Sequence, residues 1–138
     1  MARVLAIDFG TKRVGLAVSD PGGMIACPLE TIENHLLQER LENYFSREPV
    51  DTIVLGEPKR WDGSLSGPVE ALENFVRYLK RRYPDKKIVR IDERFTSKIA
   101  MQTLITSGAS KKQRADKKKL DLISAVLILQ DYLAANPR

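Results

Sequence analysis

Residues 3–20 read RVLAIDFGTKRVGLAVSD, two apolar segments separated by a short polar turn. Val4 to Ile7 have the composition of a buried strand, and Val14 to Ser19 form a second strand after a turn that begins at Gly10. Asp8 directly follows the first apolar segment. A carboxylate at the end of a core strand is costly unless another group compensates it, so Asp8 calls for a functional explanation.

The rest of the chain alternates between the periods of strands and helices. A Pro-Gly turn at 20–23 predicts a third strand in an antiparallel meander, and helices then alternate with buried strands. The further predicted elements are strands over 24–29, 52–55 and 87–91, and helices over 34–47, 67–83, 96–106 and 120–135. The order βββαβαβαα predicts one α/β domain over 1–138, a mixed five-stranded sheet with helices on both faces.

The composition excludes several kinds of site. The 138 residues include one cysteine, Cys27, and one histidine, His35, so an internal disulfide and a zinc cluster are excluded, and a histidine-based triad is disfavoured. The sequence has no signal peptide and no apolar stretch of membrane-spanning length, which predicts a cytoplasmic protein. The formal net charge of +5 suits a polyanionic partner but also fits an ordinary basic protein.

Carboxylates occur where apolar residues are expected. Asp8 ends the first strand, Asp92 and Glu93 end the last strand, and Asp121 begins the final helix. The carboxyl ends of parallel strands meet at one edge of a sheet, and the final helix could bring Asp121 to that edge. Clustered carboxylates repel one another, and hard oxygen ligands without His or Cys favour Mg²⁺ or Mn²⁺. The sequence predicts two such ions at this edge, arranged to hydrolyse a phosphodiester.

Each acid also has an ordinary structural interpretation. Asp8 could accept hydrogen bonds from the turn at Gly10, Glu93 could pair with Arg94 on the surface, and Asp121 could favour the positive end of its helix. Ser124, Ala125 and Ile128 share a helix face with Asp121, and the small or apolar character of that face predicts that it points inward.

At these residues the chain resembles a known family. The segments AIDFGTKRVGLAVSD, VLGEPKRWDGS, DERFTS and DLISAVLILQDYL are similar, in order and spacing, to those of the YqgF family, bacterial proteins described as Holliday junction resolvases or pre-16S rRNA nucleases. The resemblance implies a ribonuclease H-like fold and metal-dependent phosphodiester cleavage. It also implies a catalytic and metal-binding triad of Asp8, Glu93 and Asp121, acting on the 5′ end of the small-subunit rRNA precursor.

The chain departs from the family pattern at two places. Glu57 replaces an apolar residue in the GxP segment, where it could be a fourth acid at the site or a surface acid paired with Lys59 or Arg60. Ser124 and Ala125 stand where the family more often has two alanines, and they keep the small size.

Two basic segments are predicted to contact phosphates. Lys12 and Arg13 lie in the turn after Asp8, and the segment GASKKQRADKKK over 108–119 directly precedes Asp121. The predicted substrate-binding residues are Lys12, Arg13, Arg94, Lys111, Lys112 and Arg114. Arg94 could instead hold a neighbouring acid in place. Trp61 could stack on a base or simply cover its loop.

The sequence leaves other functions open. A Holliday junction resolvase acting on branched DNA would need the same acids and a two-fold dimer, whereas an RNA nuclease could be a monomer or a homodimer. In a third alternative, the protein is a non-catalytic RNA-binding factor of ribosome assembly, and its acids are relics or have a structural role only. DFGTKRVG also resembles the first phosphate-binding turn of the actin, Hsp70 and sugar-kinase superfamily, but that architecture needs two such domains and this chain has room for one.

Overall fold

The computed structural model describes residues 2–57, 67–92 and 117–136. Within them the chain forms five strands, one short 3-10 helix and three α-helices. These are β1 (Arg3–Asp8), β2 (Arg13–Ser19), β3 (Ala26–Glu33), the 3-10 helix (Asn34–Leu36), α1 (Leu37–Arg47), β4 (Val50–Glu57), α2 (Gly67–Arg82), β5 (Lys87–Asp92) and α3 (Lys117–Ala135). In these three ranges no helix is both long enough and apolar enough to cross a bilayer.

The five strands form one mixed sheet in the order β3-β2-β1-β4-β5. Tight turns join β1, β2 and β3, which therefore pair in antiparallel fashion. A helix-containing connection returns the chain from β3 to β4, so β4 pairs parallel to β1, and β5 likewise pairs parallel to β4. The carboxyl ends of β1, β4 and β5 consequently lie at the same edge of the sheet.

Side chains alternate between the two faces of the sheet, and each face carries its own core. In β1, Leu5 and Ile7 pack on the side of α1 and α2, where Leu41 and Leu79 are buried. The intervening residues of β1 pack with α3 on the other side. That second core contains Val4, Ala6, Ala17, Val54, Ala125, Ile128 and Leu129. The prediction of a mixed five-stranded sheet with helices on both faces is thereby confirmed.

Several elements differ from their predicted bounds, some of them by only one residue at an end. The strand predicted over 52–55 extends over Val50–Glu57, and the third strand continues to Glu33 instead of ending at residue 29. The third strand was expected over 24–29 but begins at Ala26, because Asp20 holds the preceding turn and leaves Met24 and Ile25 79% and 62% exposed. The segment expected to be helical over 34–47 begins with a 3-10 turn. The final helix begins at Lys117, three residues earlier than expected. The helix predicted over 96–106 lies outside the described residues.

Candidate active site at the carboxyl end of β1

Asp8 ends β1 on the side of the sheet that α3 covers. Val4 and Ala6 pack in the core beneath α3, and Asp8 follows them at the same period of two. Asp8 is the ladder partner of Gly15 in β2 and of Gly56 in β4. Because both neighbouring positions are glycines, no side chain from either strand fills the space beside the Asp8 carboxylate.

Gly15 allows the backbone of α3 to approach the sheet closely. A Cβ atom at Gly15 would lie 2.1 Å from the main-chain oxygen of Asp121 and 2.6 Å from its carbonyl carbon. Paired residues in an antiparallel ladder have Cα atoms about 5 Å apart and side chains on the same face. Gly15 therefore brings Asp121, which is 113 residues further along the chain than Asp8, to the same place on the sheet.

A salt bridge fixes the side chain of Asp121. The Nε–H of Arg13 donates to Oδ2 of Asp121 at 3.0 Å, and the two side chains are 30% and 26% exposed. Charge-assisted hydrogen bonds of this kind are roughly twice as strong as neutral ones. The structure shows that Arg13 holds the carboxylate of Asp121 through its Nε–H, while the phosphate contact that the sequence predicts for Arg13 stays a prediction.

Asn34 ties the turn after Asp8 to the first turn of the helical segment. Its Nδ2 donates to the main-chain oxygen of Gly10 at 2.7 Å, and its backbone N–H donates to the main-chain oxygen of Lys12 at 2.8 Å. Gly10 is itself constrained, because a Cβ there would lie 2.4 Å from the oxygen of Arg13. The turn thus presents the exposed Lys12 side chain just beyond Asp8.

The Asp121 face of α3 points inward, as predicted. Ser124 is 2% exposed, and Ala125 and Ile128 are also buried against the sheet. Because α3 begins at Lys117, Asp121 lies in the second turn of the helix rather than the first. The positive end of the helix dipole acts mainly within the first turn, so it does not account for an acid at this position.

The remaining predicted site residues lie beyond the described ranges. Asp92 ends β5 at the same edge as Asp8 and is the backbone partner of Glu57 in β4. Glu93 is the next residue in the sequence. The predicted residues outside the described ranges are Glu93, Arg94, Lys111, Lys112 and Arg114, together with Trp61. Their roles remain predictions.

The donor chemistry of this edge fits a hard divalent cation. Asp8 and Asp121 offer carboxylate oxygens, which Mg²⁺ and Mn²⁺ prefer. His35 pairs with Glu33 at 3.4 Å, and Cys27 is exposed on the outermost strand β3. Among residues 2–57, 67–92 and 117–136, no group of three or more His, Cys, Asp or Glu residues could hold a metal ion. The predicted third ligand, Glu93, falls outside them.

Sequence reasoning missed two residues that shape the site. The role of Gly15 could have been predicted, because a glycine inside an otherwise apolar strand often marks a place where another backbone comes close. The role of Asn34 could not have been predicted, because its bond to Gly10 spans 24 positions and an asparagine before a helix is usually interpreted as a cap.

Comparisons with known proteins agree with this architecture. The family model RuvX, described as "Holliday junction resolvase", matches residues 2–135. A Flavobacterium johnsoniae protein named "Putative pre-16S rRNA nuclease" is 47% identical over 135 residues, which cover 98% of each chain. A Bacteroides fragilis protein of the same name is 44% identical over 133 residues, covering 96% of each.

The structural comparisons identify the fold. The structure titled "T. thermophilus RuvC in complex with Holliday junction substrate" matches 99% of this chain and 97% of its own with a TM-score of 0.60. A second Thermus thermophilus RuvC structure gives a TM-score of 0.56, and both are 14% identical in sequence. The predicted ribonuclease H-like fold is confirmed. With its sequence matched over nearly its whole length, the chain belongs to the YqgF family, to which the RuvX model corresponds.

Proposed function

We propose that this protein is a metal-dependent nuclease that processes the 5′ end of pre-16S rRNA in the bacterial cytoplasm as a single domain. The nuclease activity, hydrolysis of phosphodiester bonds, follows from membership in the family. The observation that carries the proposal is the meeting of Asp8 and Asp121 around Gly15, at the sheet edge where open α/β sheets bind ligands.

The proposed catalytic residues are Asp8, Glu93 and Asp121, which would hold one or two Mg²⁺ or Mn²⁺ ions. Such ions supply Lewis acidity toward the phosphate and lower the pKa of an attacking water. The protein contributes the positions of the carboxylates. Asp8 is fixed by its pairing on both sides in the sheet, and Asp121 is fixed by the packing of α3 and by the Arg13 guanidinium.

The cations near the site have separate proposed roles. Arg13 orients Asp121 and adds positive charge beside the acids, which lowers their mutual repulsion. Lys12 is exposed in the neighbouring turn, where its ammonium group can contact a phosphate of the substrate. We extend phosphate binding to Arg94, Lys111, Lys112 and Arg114 on the basis of the sequence and its charge.

The proposed substrate is structured RNA, free or within a pre-ribosomal particle. The names of the relatives that are 44–47% identical to this chain support it. The description of the family model and the likeness to a junction-bound RuvC favour branched DNA as the second candidate. A resolvase that makes paired cuts requires a two-fold dimer, whereas cleavage at a single RNA end does not.

The experiment offers both substrates to the same protein. Wild type and Asp8→Asn are incubated with Mg²⁺ or Mn²⁺ and either end-labelled RNA spanning the 5′ end of the small-subunit precursor or a labelled four-way DNA junction. Metal-dependent RNA cleavage that Asp8→Asn lacks is the expected result. Cleavage of the junction alone would replace the RNA assignment with the resolvase. Tight, salt-sensitive RNA binding without cleavage of either substrate would favour a non-catalytic assembly factor.

A further inference from the structure

An open cleft of about 460 Å³ lies beside the turn that follows Asp8, on the opposite side of the sheet from α3. Phe9, the residue after Asp8, lines it and packs in the core with α1 and α2. Asn34 also lines it and hydrogen-bonds to Gly10. Asp8 and Phe9 are consecutive, so their Cα atoms lie about 3.8 Å apart, while their side chains point to opposite faces of the sheet.

Aromatic rings form one wall of the cleft. Phe9 and Phe75 stack with their ring centroids 5.2 Å apart and their planes inclined by 22°. Tyr78 continues the row, 6.1 Å from Phe75 and again inclined by 22°. Phe9 and Phe75 are almost fully buried, whereas Tyr78 is half-buried. The aromatic surface that the wall leaves accessible is therefore that of Tyr78, which the two buried phenyl rings support from behind and which suits another planar ring.

Neutral amides stand on the rim of this surface. Asn34 and Gln38 approach from the 3-10 helix and α1, and Asn74 approaches from α2. The side-chain oxygen of Asn74 accepts a hydrogen bond from Arg77, so the group it can turn toward the cleft is its NH₂ donor. Amides pair with the mixed donor and acceptor edges of a nucleobase.

The charge of the lining decides between a base and a phosphate. Of the described residues that line the cleft, none is Lys, Arg, Asp or Glu, although charged residues make up 30% of the chain. His35 is the one basic side chain among them, and its Nδ1 lies 3.4 Å from a carboxylate oxygen of Glu33. A phosphate site requires cations or clustered backbone donors, whereas a stacked base requires a ring surface and neutral polar groups. The lining thus favours an uncharged planar ligand.

We infer that this cleft holds an unpaired base of the substrate strand, next to the phosphate that the carboxylates act on. Asp8 ends β1 and Phe9 follows it with its side chain on the opposite face of the sheet, so a nucleic-acid strand that crosses this end of the sheet can place a phosphate on one side and a neighbouring base on the other. The inference rests on the proposed function for the identity of the strand, and it adds a subsite for single-stranded nucleic acid.

The test measures binding without cleavage. Isotope-labelled wild type in EDTA is titrated with single-stranded hexaribonucleotides of A, C, G or U, and the side-chain amide signals of Asn34, Gln38 and Asn74 are followed by NMR. We expect at least one sequence to shift these signals. The double variant Gln38→Ala/Asn74→Ala should bind that sequence about 5- to 50-fold more weakly, because each lost hydrogen bond changes affinity severalfold.

The controls separate the subsite from general binding. Both substituted positions are exposed on helices, where alanine is compatible with folding. Asn43→Ala, also exposed on α1 but outside the cleft lining, should leave the affinity unchanged. Equal affinity of the wild type and the double variant, or binding of free nucleoside monophosphates as tight as that of the hexamers, would overturn the inference. If the wild-type protein shows these amide shifts with RNA but cleaves no substrate in Mg²⁺ or Mn²⁺, only the nuclease assignment is refuted and the base subsite stands.

Discussion

Gly15 and Asp121 are in backbone contact: there is no room for even a Cβ atom between Gly15 and the main-chain carbonyl of Asp121. Since Gly15 is the ladder partner of Asp8, this contact allows α3 to lie close to the acid of β1. A larger residue at this position of β2 would separate two acids that are far apart in sequence.

Gly15→Ala should push α3 away from the sheet. The added Cβ would lie 2.1 Å from the Asp121 oxygen, and backbone cannot yield as a flexible side chain can. We expect a loss of about 1–3 kcal/mol in the free energy of unfolding, measured in urea, together with loss of cleavage. Gly22→Ala is the control, because its Cβ would meet only a side-chain oxygen of Asp20, at 3.0 Å. Equal stability of Gly15→Ala and wild type would argue against this packing.

Arg13 and Lys12 are adjacent cations with different expected effects. Arg13→Gln removes the salt bridge to Asp121, and a misplaced carboxylate should lower kcat by about 10- to 100-fold. Lys12→Gln should mainly weaken substrate binding and raise KM, because Lys12 is exposed in the turn. Single-turnover and steady-state cleavage assays separate the two effects. The assignment of Arg13 as a positioning residue fails if its variant changes only KM.

The basic segment before α3 should contribute to the salt dependence of binding. Replacing Lys111, Lys112 and Arg114 together by alanine is expected to reduce the slope of log K against log[salt] by up to about three, one for each lost phosphate contact. The control is Lys80→Ala/Arg81→Ala in the last turn of α2. Because the end of α2 leads into the start of β5, these two residues lie near the amino end of that strand, away from the carboxyl ends where Asp8 lies. Identical slopes for the triple variant and wild type would remove the segment from the binding surface.

Asp20 predicts a pH dependence of stability that is independent of the active site. Its carboxylate accepts hydrogen bonds from the backbone N–H groups of Ile25, Met24 and Gly22, which hold the pKa of Asp20 below its usual value of 3.8. A carboxylate whose pKa is lower in the folded state stabilises the fold above its unfolded pKa, and that stabilisation is lost as the pH falls through the folded pKa.

The variant Asp20→Asn isolates this contribution. The difference in urea midpoint between wild type and Asp20→Asn should be constant from neutral pH to about pH 5 and should shrink in more acidic solution. Asn keeps an oxygen acceptor without the charge, so the comparison reports on the ionised carboxylate. A difference that grows on acidification would contradict the assigned direction of the pKa shift.

The order of strands and helices can be predicted because it depends on the local spacing of apolar residues. The apolar segments around Asp8 and the turns at Gly10 and Pro21 specify the meander, and crossover handedness restricts where the parallel strands can lie. The third strand was placed too early because Met24 and Ile25 are apolar yet exposed, and the turn that Asp20 holds is not visible in an apolar pattern.

The candidate site was predictable only in its acids. A carboxylate inside an apolar segment stands out in a sequence, as Asp8 and Asp121 do. The side chain that pairs with each acid is set by tertiary contacts between residues far apart in sequence. The bond between Arg13 and Asp121 spans 108 positions, so no local sequence pattern predicts it. The sequence predicts a phosphate contact for Arg13 from its charge and its place in the turn, and it gives no sign of the salt bridge to Asp121.

The most direct test of the central claim compares acids on the same helix. Cleavage of precursor RNA in Mg²⁺ or Mn²⁺ is measured for wild type, Asp8→Asn, Asp121→Asn and Asp131→Asn, the last being an exposed acid of α3. We predict that Asp8→Asn and Asp121→Asn each lose about 10³-fold in rate, equivalent to about 4 kcal/mol. Asp8→Asn should melt no lower than wild type in metal-free buffer, because it removes one of the mutually repelling charges. Asp121→Asn also loses the charge-assisted bond to Arg13, so its melting temperature serves only to show that it is folded. Asp131→Asn should cleave like wild type. Undiminished cleavage by a folded Asp8→Asn or Asp121→Asn protein would contradict the account.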